Sequence, residues 1–362
     1  MNKILVVGDF HSKIHEKAIY ESFIRLGFDA DKFSWHQYFG KAPYEKNFLN
    51  LSAFFNICKK IQYHFRIGPL IGKINKDLII KVLAVKPDLV FIYRGTHILP
   101  NTVKIIKDLG ITVFAYNNDD PFSEKYPFYF WRHFLAGTFL YDHIFVYRQK
   151  NIEDYKKINY KKVSILRSYY IKNDNFNVSS LPSDKYKCDV IFIGHFEDDG
   201  RDEYIKMLLD ANIDLKLFGP EWEKSKHYKY FIKKLGSISS LKDDYNLAIN
   251  SAEIALVFLS SLNNDTYTRR VFEIIAAKVF MLSVYSDDLN GLFTENKEAV
   301  YFRSKDDLLN KVRFYLANPE LRKNIAQAGY QRLMVDGHEV DDRVKEIIRV
   351  YNRIKNEKNI NT

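Results

Sequence analysis

The segment TYTRRVFEIIAAK, residues 266–278, holds the residues whose types and spacing are best suited to chemistry. A polar stretch that includes Thr268 opens a helix-like pattern there, and a helix N-terminus presents free backbone N–H groups and a partial positive charge. Arg269 and Arg270 add guanidinium groups that suit a diphosphate. Glu273, one turn further, could accept hydrogen bonds from both hydroxyls of a ribose. The pattern predicts a nucleoside-diphosphate site, but a solvated helix start with Glu273 paired to an arginine explains it equally well.

Candidate acid and base residues follow other apolar runs of the sequence. Asp9 and His11 follow the first run, Asp119 and Asp120 follow a run that ends at residue 117, and His195 follows a run that ends at residue 194. Ligands of parallel α/β sheets lie at the carboxyl ends of strands, so these side chains are our candidates for proton transfer. The aspartate pair also suits a capping turn before a proline. We predict no metal site, because the pair lacks the spacing of a DxD motif.

The elements that must position these residues alternate between short apolar runs and helical patterns. Runs such as KILVVGDF (3–10), PDLVFIY (87–93), CDVIFIG (188–194) and AEIALVFL (252–259) predict buried parallel strands with helical crossovers. We therefore predict an α/β chain with two doubly wound Rossmann-like domains. The predicted bounds are 1–167 for the first domain, 168–186 for a linker, 187–335 for the second domain and 336–362 for a C-terminal helix.

Composition limits the class of protein and of partner. The chain has 362 residues, 46% of them hydrophobic, and a formal net charge of +10, which favours anionic partners. Nucleic acid is disfavoured, since the lysines are scattered and no reader motif is present. Cys58 and Cys188 match neither a disulfide framework nor a metal spacing. With no signal peptide and no run of about 18 apolar residues, we expect a cytoplasmic protein whose membrane contact, if any, is peripheral.

The second half of the chain is similar to a known family. The stretches CDVIFIGHFEDDGRDEYIKML, LKLFGPEW, TRRVFEIIAA, LSVYSDDLNGLFTENKEAVYF and DDLLNKVRFYLANPELRKNIAQAGYQR resemble the donor domain of the CgeB-like (spore maturation protein) glycosyltransferases. The resemblance covers about residues 185–335 and implies a GT-B fold, with the C-terminal helix crossing back to the first domain and an acceptor in a cleft between the domains.

The resemblance also implies site residues. Arg270 and Glu273 match the Arg and Glu of the family's helix motif, with Arg269 as a second phosphate contact. Gly194 matches a glycine that lets the backbone approach the diphosphate, and Gly219 and Trp222 match a small loop beside the donor base. The chain departs from the family at residues 277–279, where a glycine-bearing turn is usual, so the sugar side of the pocket is not assigned.

The function implied is transfer of a sugar from a nucleotide sugar, without a cofactor or metal, to a cell-envelope glycan, a lipid-linked glycan or a protein. Two alternatives stay open, namely a binding or assembly protein that has lost turnover and a nucleotide-sugar 2-epimerase. The aromatic tract YPFYFWRHF, residues 126–134, suits core packing, with an acceptor platform or shallow membrane contact as the alternative.

Overall fold

The computed structural model describes residues 1–40, 49–178, 183–241 and 243–360. The chain divides into two compact units, Met1–Arg167 with Val340–Thr362, and Ser168–Glu339. Each unit contains one parallel sheet flanked by helices. The predicted α/β fold with two Rossmann-like domains is confirmed.

The first unit contains a six-stranded sheet in the order β2-β1-β3-β4-β5-β6, in which every pairing is parallel. Its strands are β1 Lys3–Gly8, β2 Asp29–Ser34, β3 Leu89–Tyr93, β4 Thr112–Asn117, β5 His143–Val146 and β6 Val163–Ile165. Its helices before the second unit are α1 Glu16–Arg25, α2 Leu49–Phe65, α3 Pro69–Val85, α4 Pro100–Asp108, α5 Arg132–Ala136 and α6 Gln149–Lys157, with 3₁₀ turns at His36–Phe39 and Thr138–Leu140.

The second unit contains a five-stranded parallel sheet in the order β11-β10-β9-β7-β8. Its strands are β7 Cys188–Ile193, β8 Leu215–Phe218, β9 Ala252–Val257, β10 Met281–Val284 and β11 Val300–Phe302. Its helices are α7 Arg201–Asp210, α8 Tyr228–Leu235, α9 Tyr245–Asn250, α10 Arg269–Ala276, α11 Asp287–Leu292, α12 Lys305–Ala317 and α13 Pro319–Asp336, with a 3₁₀ turn at Trp222–Lys224.

Burial explains why the strand sequences are continuous apolar runs. Ile4, Leu5, Val6 and Val7 of β1 are all fully buried, because helices cover both faces of a doubly wound sheet. Strand β2 was not predicted from the sequence. Its residues DADKFS are largely polar since β2 lies at the edge of the sheet and only one of the six is buried.

The strand orders place a switch point in each unit. In the first unit β1 lies between β2 and β3, and in the second unit β7 lies between β8 and β9. Chain connections from such a central strand leave in opposite directions, which opens a crevice at the carboxyl ends of the strands. The residues that follow β1 and β3, and those that follow β7 and β9, are therefore the ones positioned to meet ligands.

The segment predicted as a linker lies within the second unit. Asn177 Nδ2 donates to Ala277 O at 2.9 Å, and Ser168 N donates to the hydroxyl oxygen of Tyr267 at 3.2 Å. These hydrogen bonds attach the described parts of 168–186 to the residues on either side of α10.

The last helix, α14 Val340–Ile360, belongs to the first unit. Its apolar face is buried, with Tyr351 against Phe114 at a ring-centroid distance of 6.4 Å. Asp341 in its first turn accepts hydrogen bonds from Ser22 Oγ at 2.6 Å and Arg25 Nη2 at 2.5 Å. The amphipathic spacing of this helix thus reflects packing on α1 and the sheet.

Over the described residues, no helix has the length and apolar character needed to cross a bilayer.

Candidate functional site

Helix α10 begins beside the switch point of the second unit, and neighbouring elements fix the loop before it. Thr266 Oγ1 donates to Asp288 Oδ2 at 2.6 Å, and Ser286 Oγ donates to Thr266 O at 2.5 Å. Thr268 precedes the helix in an extended conformation and makes no side-chain capping bond. Its Oγ1 is buried and has no hydrogen-bond partner in the part of the chain that the structure describes. The helix N-terminus is therefore not satisfied by a side-chain cap, which leaves backbone N–H groups for an anion.

Glu273 lies on the buried side of α10 and is held by two partners. Arg269 Nε donates to its Oε1 at 2.6 Å, and the Tyr245 hydroxyl donates to its Oε2 at 2.9 Å. The pairing with an arginine, given above as the alternative to a ribose contact, is thus present. A carboxylate oxygen accepts more than one hydrogen bond, so the carboxylate of Glu273 keeps acceptor capacity for hydroxyl groups while its position is fixed.

Arg269 and Arg270 differ in their surroundings. The Arg269 guanidinium lies over the ring of Tyr169 at 4.9 Å and pairs with Glu273, so its place is beside the carboxylate that it orients. Arg270 is half-buried and forms no ion pair with any carboxylate of the described residues. One of its guanidinium nitrogens lies 3.2 Å from the position that a Cβ on Gly194 would occupy. Arg270 therefore offers an uncompensated positive charge at the end of β7.

The glycines that follow β7 and β8 allow two loops to cross at close range. A Cβ on Gly219, whose φ is +139°, would lie 2.0 Å from Gly194 O. Gly194 N donates to Phe218 O at 2.8 Å, and the Trp222 indole N–H donates to Gly194 O at 2.9 Å. Only glycine fits such a crossing. Trp222 is 1% exposed and packs among aromatic rings, so its indole N–H fixes the backbone at Gly194 from within the core. The sequence interpretation placed it beside the donor base.

His195 follows Gly194 and belongs to a charged network. Its Nε2 lies 2.8 Å from Glu197 Oε1, while Glu197 Oε2 accepts from Ser260 Oγ at 3.1 Å. Arg201 pairs with Asp199 at 2.6 Å and donates to His195 O. Burial alone would raise the pKa of Glu197, but the hydrogen bond from His195 and the charge of Arg201 lower it to about 2. The sequence analysis did not select Glu197 or Arg201, although the run HFEDDGRD directly after the strand contains both.

The carboxyl end of the first unit's sheet gathers three acidic side chains around one arginine. Arg94, which follows β3 in a left-handed conformation with φ 52°, pairs with Asp119 at 2.8 Å. Glu16, the first residue of α1, packs under Gly8, where a Cβ would lie 2.2 Å from its Cγ. Burial, together with repulsion from Asp9, raises the pKa of Glu16 to about 7. Glu16 and Arg94 were not predicted from the sequence, since neither belongs to a recognisable motif.

The remaining candidates of the first unit have different environments. The backbone N–H of His11 donates to Asp9 Oδ1 at 2.8 Å, and its ring lies 4.9 Å from that of His36. Asp120 is fully buried. It accepts from Asn151 Nδ2 at 2.7 Å and Phe122 N at 3.0 Å. These partners make Asp120 the anchor of a turn, which is the alternative that the sequence left open, and Asp119 is the member of the pair that lies beside Arg94.

No group of three or more His, Cys, Asp or Glu side chains among the described residues is arranged to hold a metal ion.

Residues 201–349 match the model of a family described as glycosyl transferase-like. No curated protein matches the chain. Several solved structures are similar over nearly its whole length. Sucrose-phosphate synthase from Thermosynechococcus elongatus is 11% identical with a TM-score of 0.67, covering 99% of this chain and 100% of that chain. Anabaena HepE in complex with UDP and glucose is 10% identical with a TM-score of 0.68, covering 98% and 100%.

A UDP-forming α,α-trehalose-phosphate synthase from Burkholderia xenovorans is also similar, at 9% identity and a TM-score of 0.61, with 98% of this chain and 100% of that chain covered. At these identities the likeness concerns the fold. Together with the two parallel-sheet units, it shows that the chain has the GT-B fold of glycosyltransferases.

Proposed function

We propose that this protein is a glycosyltransferase that binds a nucleoside-diphosphate sugar in its second unit. The observation that carries the proposal is Arg270, whose charge has no carboxylate partner among the described residues and which lies beside the side-chain-free position Gly194. A diphosphate placed there would meet a guanidinium and backbone N–H groups of α10. The HepE structure contains UDP and glucose, which makes a uridine nucleotide sugar the first donor to test.

The proposed roles follow from the local partners of each residue. Arg270 and the N-terminus of α10 stabilise the negative charge that develops on the leaving diphosphate. Glu273, fixed by Tyr245 and Arg269, accepts hydrogen bonds from the ribose hydroxyls. His195 is 45% exposed in its side chain and is oriented by Glu197, so it is available to the transferred sugar or to the acceptor. Asp9, His11 and Asp119 are the corresponding candidates for the acceptor in the first unit.

The finer parts of the proposal rest on the resemblance found in the sequence. We include transfer of a hexosyl or related sugar, at the cytoplasmic side of a cell, to an envelope glycan, a lipid-linked glycan or a protein. Independence of a metal ion is also part of the proposal, because Arg270 and the helix N-terminus would supply the positive charge that the diphosphate needs.

The test is a panel of UDP, GDP, dTDP and CMP sugars, screened by thermal shift and then for release of free nucleotide with and without EDTA. Binding of one donor at about 100 times its Kd stabilises the protein by ~2.7 kcal/mol. We expect one nucleoside-diphosphate sugar to stabilise the protein, to be hydrolysed slowly, and to be hydrolysed equally with EDTA.

The matched pair of variants is Arg270→Gln and Arg332→Gln. Arg332 is an exposed arginine of α13 that pairs with Asp336 at 2.7 Å. Loss of donor binding in the first variant alone would support the proposal. Donor binding without any release of nucleotide would point to a binding protein, and a product that stays a nucleotide sugar with a changed stereocentre would point to an epimerase. No binding of any donor by the native chain would refute the proposal.

A further inference from the structure

Helix α2 of the first unit exposes apolar side chains where a surface helix normally carries polar ones. Phe54, Ile57, Ile61 and Phe65 are 62%, 56%, 47% and 39% exposed. Their spacing of three, four and four residues places them along one face of the helix. Single exposed apolar residues are ordinary, but a continuous stripe of them marks an interaction surface.

The exposed stripe continues onto the aromatic segment 126–134. The Tyr129 hydroxyl lies 2.7 Å from His64 Nε2, and the rings of Phe65 and Tyr129 are 4.9 Å apart. Arg132 Nη2 donates to Phe65 O at 2.9 Å. These contacts hold the segment against the end of α2. Phe128, which is 88% exposed, therefore lies close to the exposed apolar stripe of α2. We call α2 together with residues 126–134 the aromatic surface.

Exposed lysines accompany the apolar side chains of this region. Residues 49–76 contain no Asp or Glu and contain five basic residues. Of these, Arg66 is buried and Lys73 pairs with Asp77 at 3.2 Å, so Lys59, Lys60 and Lys76 supply the positive charge. A cavity of about 570 Å³ opens along the helix. It is lined by aromatic, apolar and basic side chains: His36, Phe39, Lys59, Lys60, Ile61, Tyr63, His64 and Phe65. Lysines and apolar side chains therefore line the same cavity.

We propose that the aromatic surface binds the face of a lipid bilayer that contains anionic phospholipids. A helix that lies in the membrane interface combines large apolar side chains with flanking Lys and Arg, and its affinity rises with buried apolar area and with the negative charge of the lipid. The core of a protein–protein interface is instead depleted in lysine, which favours the bilayer over a second copy of the chain. This proposal goes beyond sugar transfer and does not depend on it.

The experiment is cosedimentation of the full chain with vesicles of phosphatidylcholine alone and of phosphatidylcholine mixed with phosphatidylglycerol. We expect at least tenfold stronger partitioning to the anionic vesicles, and a loss of that difference in high salt because the attraction is electrostatic. Ile57→Ser combined with Ile61→Ser is expected to weaken binding to anionic vesicles at least tenfold. Lys60→Glu is expected to weaken binding to the anionic vesicles only.

The control is Leu109→Ser combined with Phe139→Ser, which removes two exposed apolar residues of the same unit, 48% and 64% exposed, outside the aromatic surface. Circular dichroism and thermal midpoints check that each variant is folded. Absence of binding to anionic vesicles, or equal binding by the control and the α2 variant, would overturn the proposal. A dimer in sedimentation velocity that the α2 variant loses, with no vesicle binding, would overturn it in favour of a second copy.

Discussion

The two units end their first strands in the same way but differ in the charged groups around those ends. In the first unit β1 ends at Gly8, and the helix that follows begins with the buried Glu16. In the second unit β7 leads into Gly194, and the helix that follows begins with Arg201. The pKa of the first unit's Glu16 is raised to about 7, whereas that of the second unit's Glu197 is lowered to about 2.

The topology determines where a ligand can bind in each unit, and the side chains determine which chemical groups suit each position. Both strands lie at a switch point, so the topology offers a ligand position at each. At the first, three carboxyl groups share one arginine, which disfavours phosphate and suits hydroxyl groups. At the second, Arg270 has no carboxylate partner among the described residues, and the N-terminus of α10 has no side-chain cap. In our proposal, the charged groups at the two switch points make the second unit the donor unit and the first unit the acceptor unit.

Replacement of Glu16 by Gln is expected to have the largest effect. The carboxyl group is protonated in both folded and unfolded protein below its ordinary pKa of 4.5. Between pH 4.5 and about 7 only the unfolded chain ionises. The free energy of unfolding should therefore fall by about 3 kcal/mol as pH rises through that window, and Glu16→Gln should remove this fall. Urea unfolding at pH 4.5, 5.5, 7 and 8 measures this change in the free energy of unfolding. Identical pH profiles for the native chain and the variant would contradict a raised pKa of Glu16.

Replacement of Glu273 by Ala tests the other side of the comparison. The variant should bind the nucleotide more weakly by more than ~1 kcal/mol, because hydrogen bonds to a carboxylate are lost. Tyr245→Phe removes only the hydroxyl that holds Glu273 Oε2, and should weaken binding less. Titration calorimetry with the donor that stabilises the native chain gives both values. If Glu273→Ala binds the donor with native affinity, Glu273 stabilises helix α10 and does not contact the nucleotide.

Replacement of Glu197 by Gln should change stability in the opposite pH direction from Glu16. The native carboxylate stabilises the fold above its ordinary pKa of 4.5, and this contribution is lost as pH falls toward about 2. Since the group is partly solvated, we expect a difference below ~1 kcal/mol between pH 6 and pH 3. Unfolding curves of native and Gln variants over that range decide it, and a difference of the same sign as that of Glu16 would break the contrast.

The smallest effect is expected from Asp119→Asn on donor binding. Asp119 pairs with Arg94 in the first unit, so the donor Kd should stay within about twofold of the native value in calorimetry, within the usual scatter of surface substitutions. A fivefold change in the donor Kd would mean that Asp119, at the switch point of the first unit, affects donor binding.

Much of the fold could be predicted from the sequence, because its signals are local. Continuous apolar runs ending in glycine identify buried parallel strands, and the first turns at Pro69, Pro100 and Pro319 fit the preference of proline for helix starts. Polar segments are less informative. Helix α2 lies in a stretch read only as aromatic and basic, since its outward face is apolar and hides the usual amphipathic signal.

By itself the sequence determined the α/β alternation, the two glycine-ended strands and the helix that carries Arg270 and Glu273. Only the tertiary structure decided which charges are compensated. Arg269 and Arg270 are adjacent in sequence, yet one pairs with Glu273 and the other does not. Asp119 and Asp120 are adjacent, yet one pairs with Arg94 and the other is buried against Asn151 and pairs with Lys150. The pKa of Glu16 depends on its burial and on the charges of Asp9 and Arg94. The Arg269–Glu273 pair is a local i,i+4 contact, but the partners of Asp119 and Asp120 come from distant parts of the sequence, which no local pattern contains.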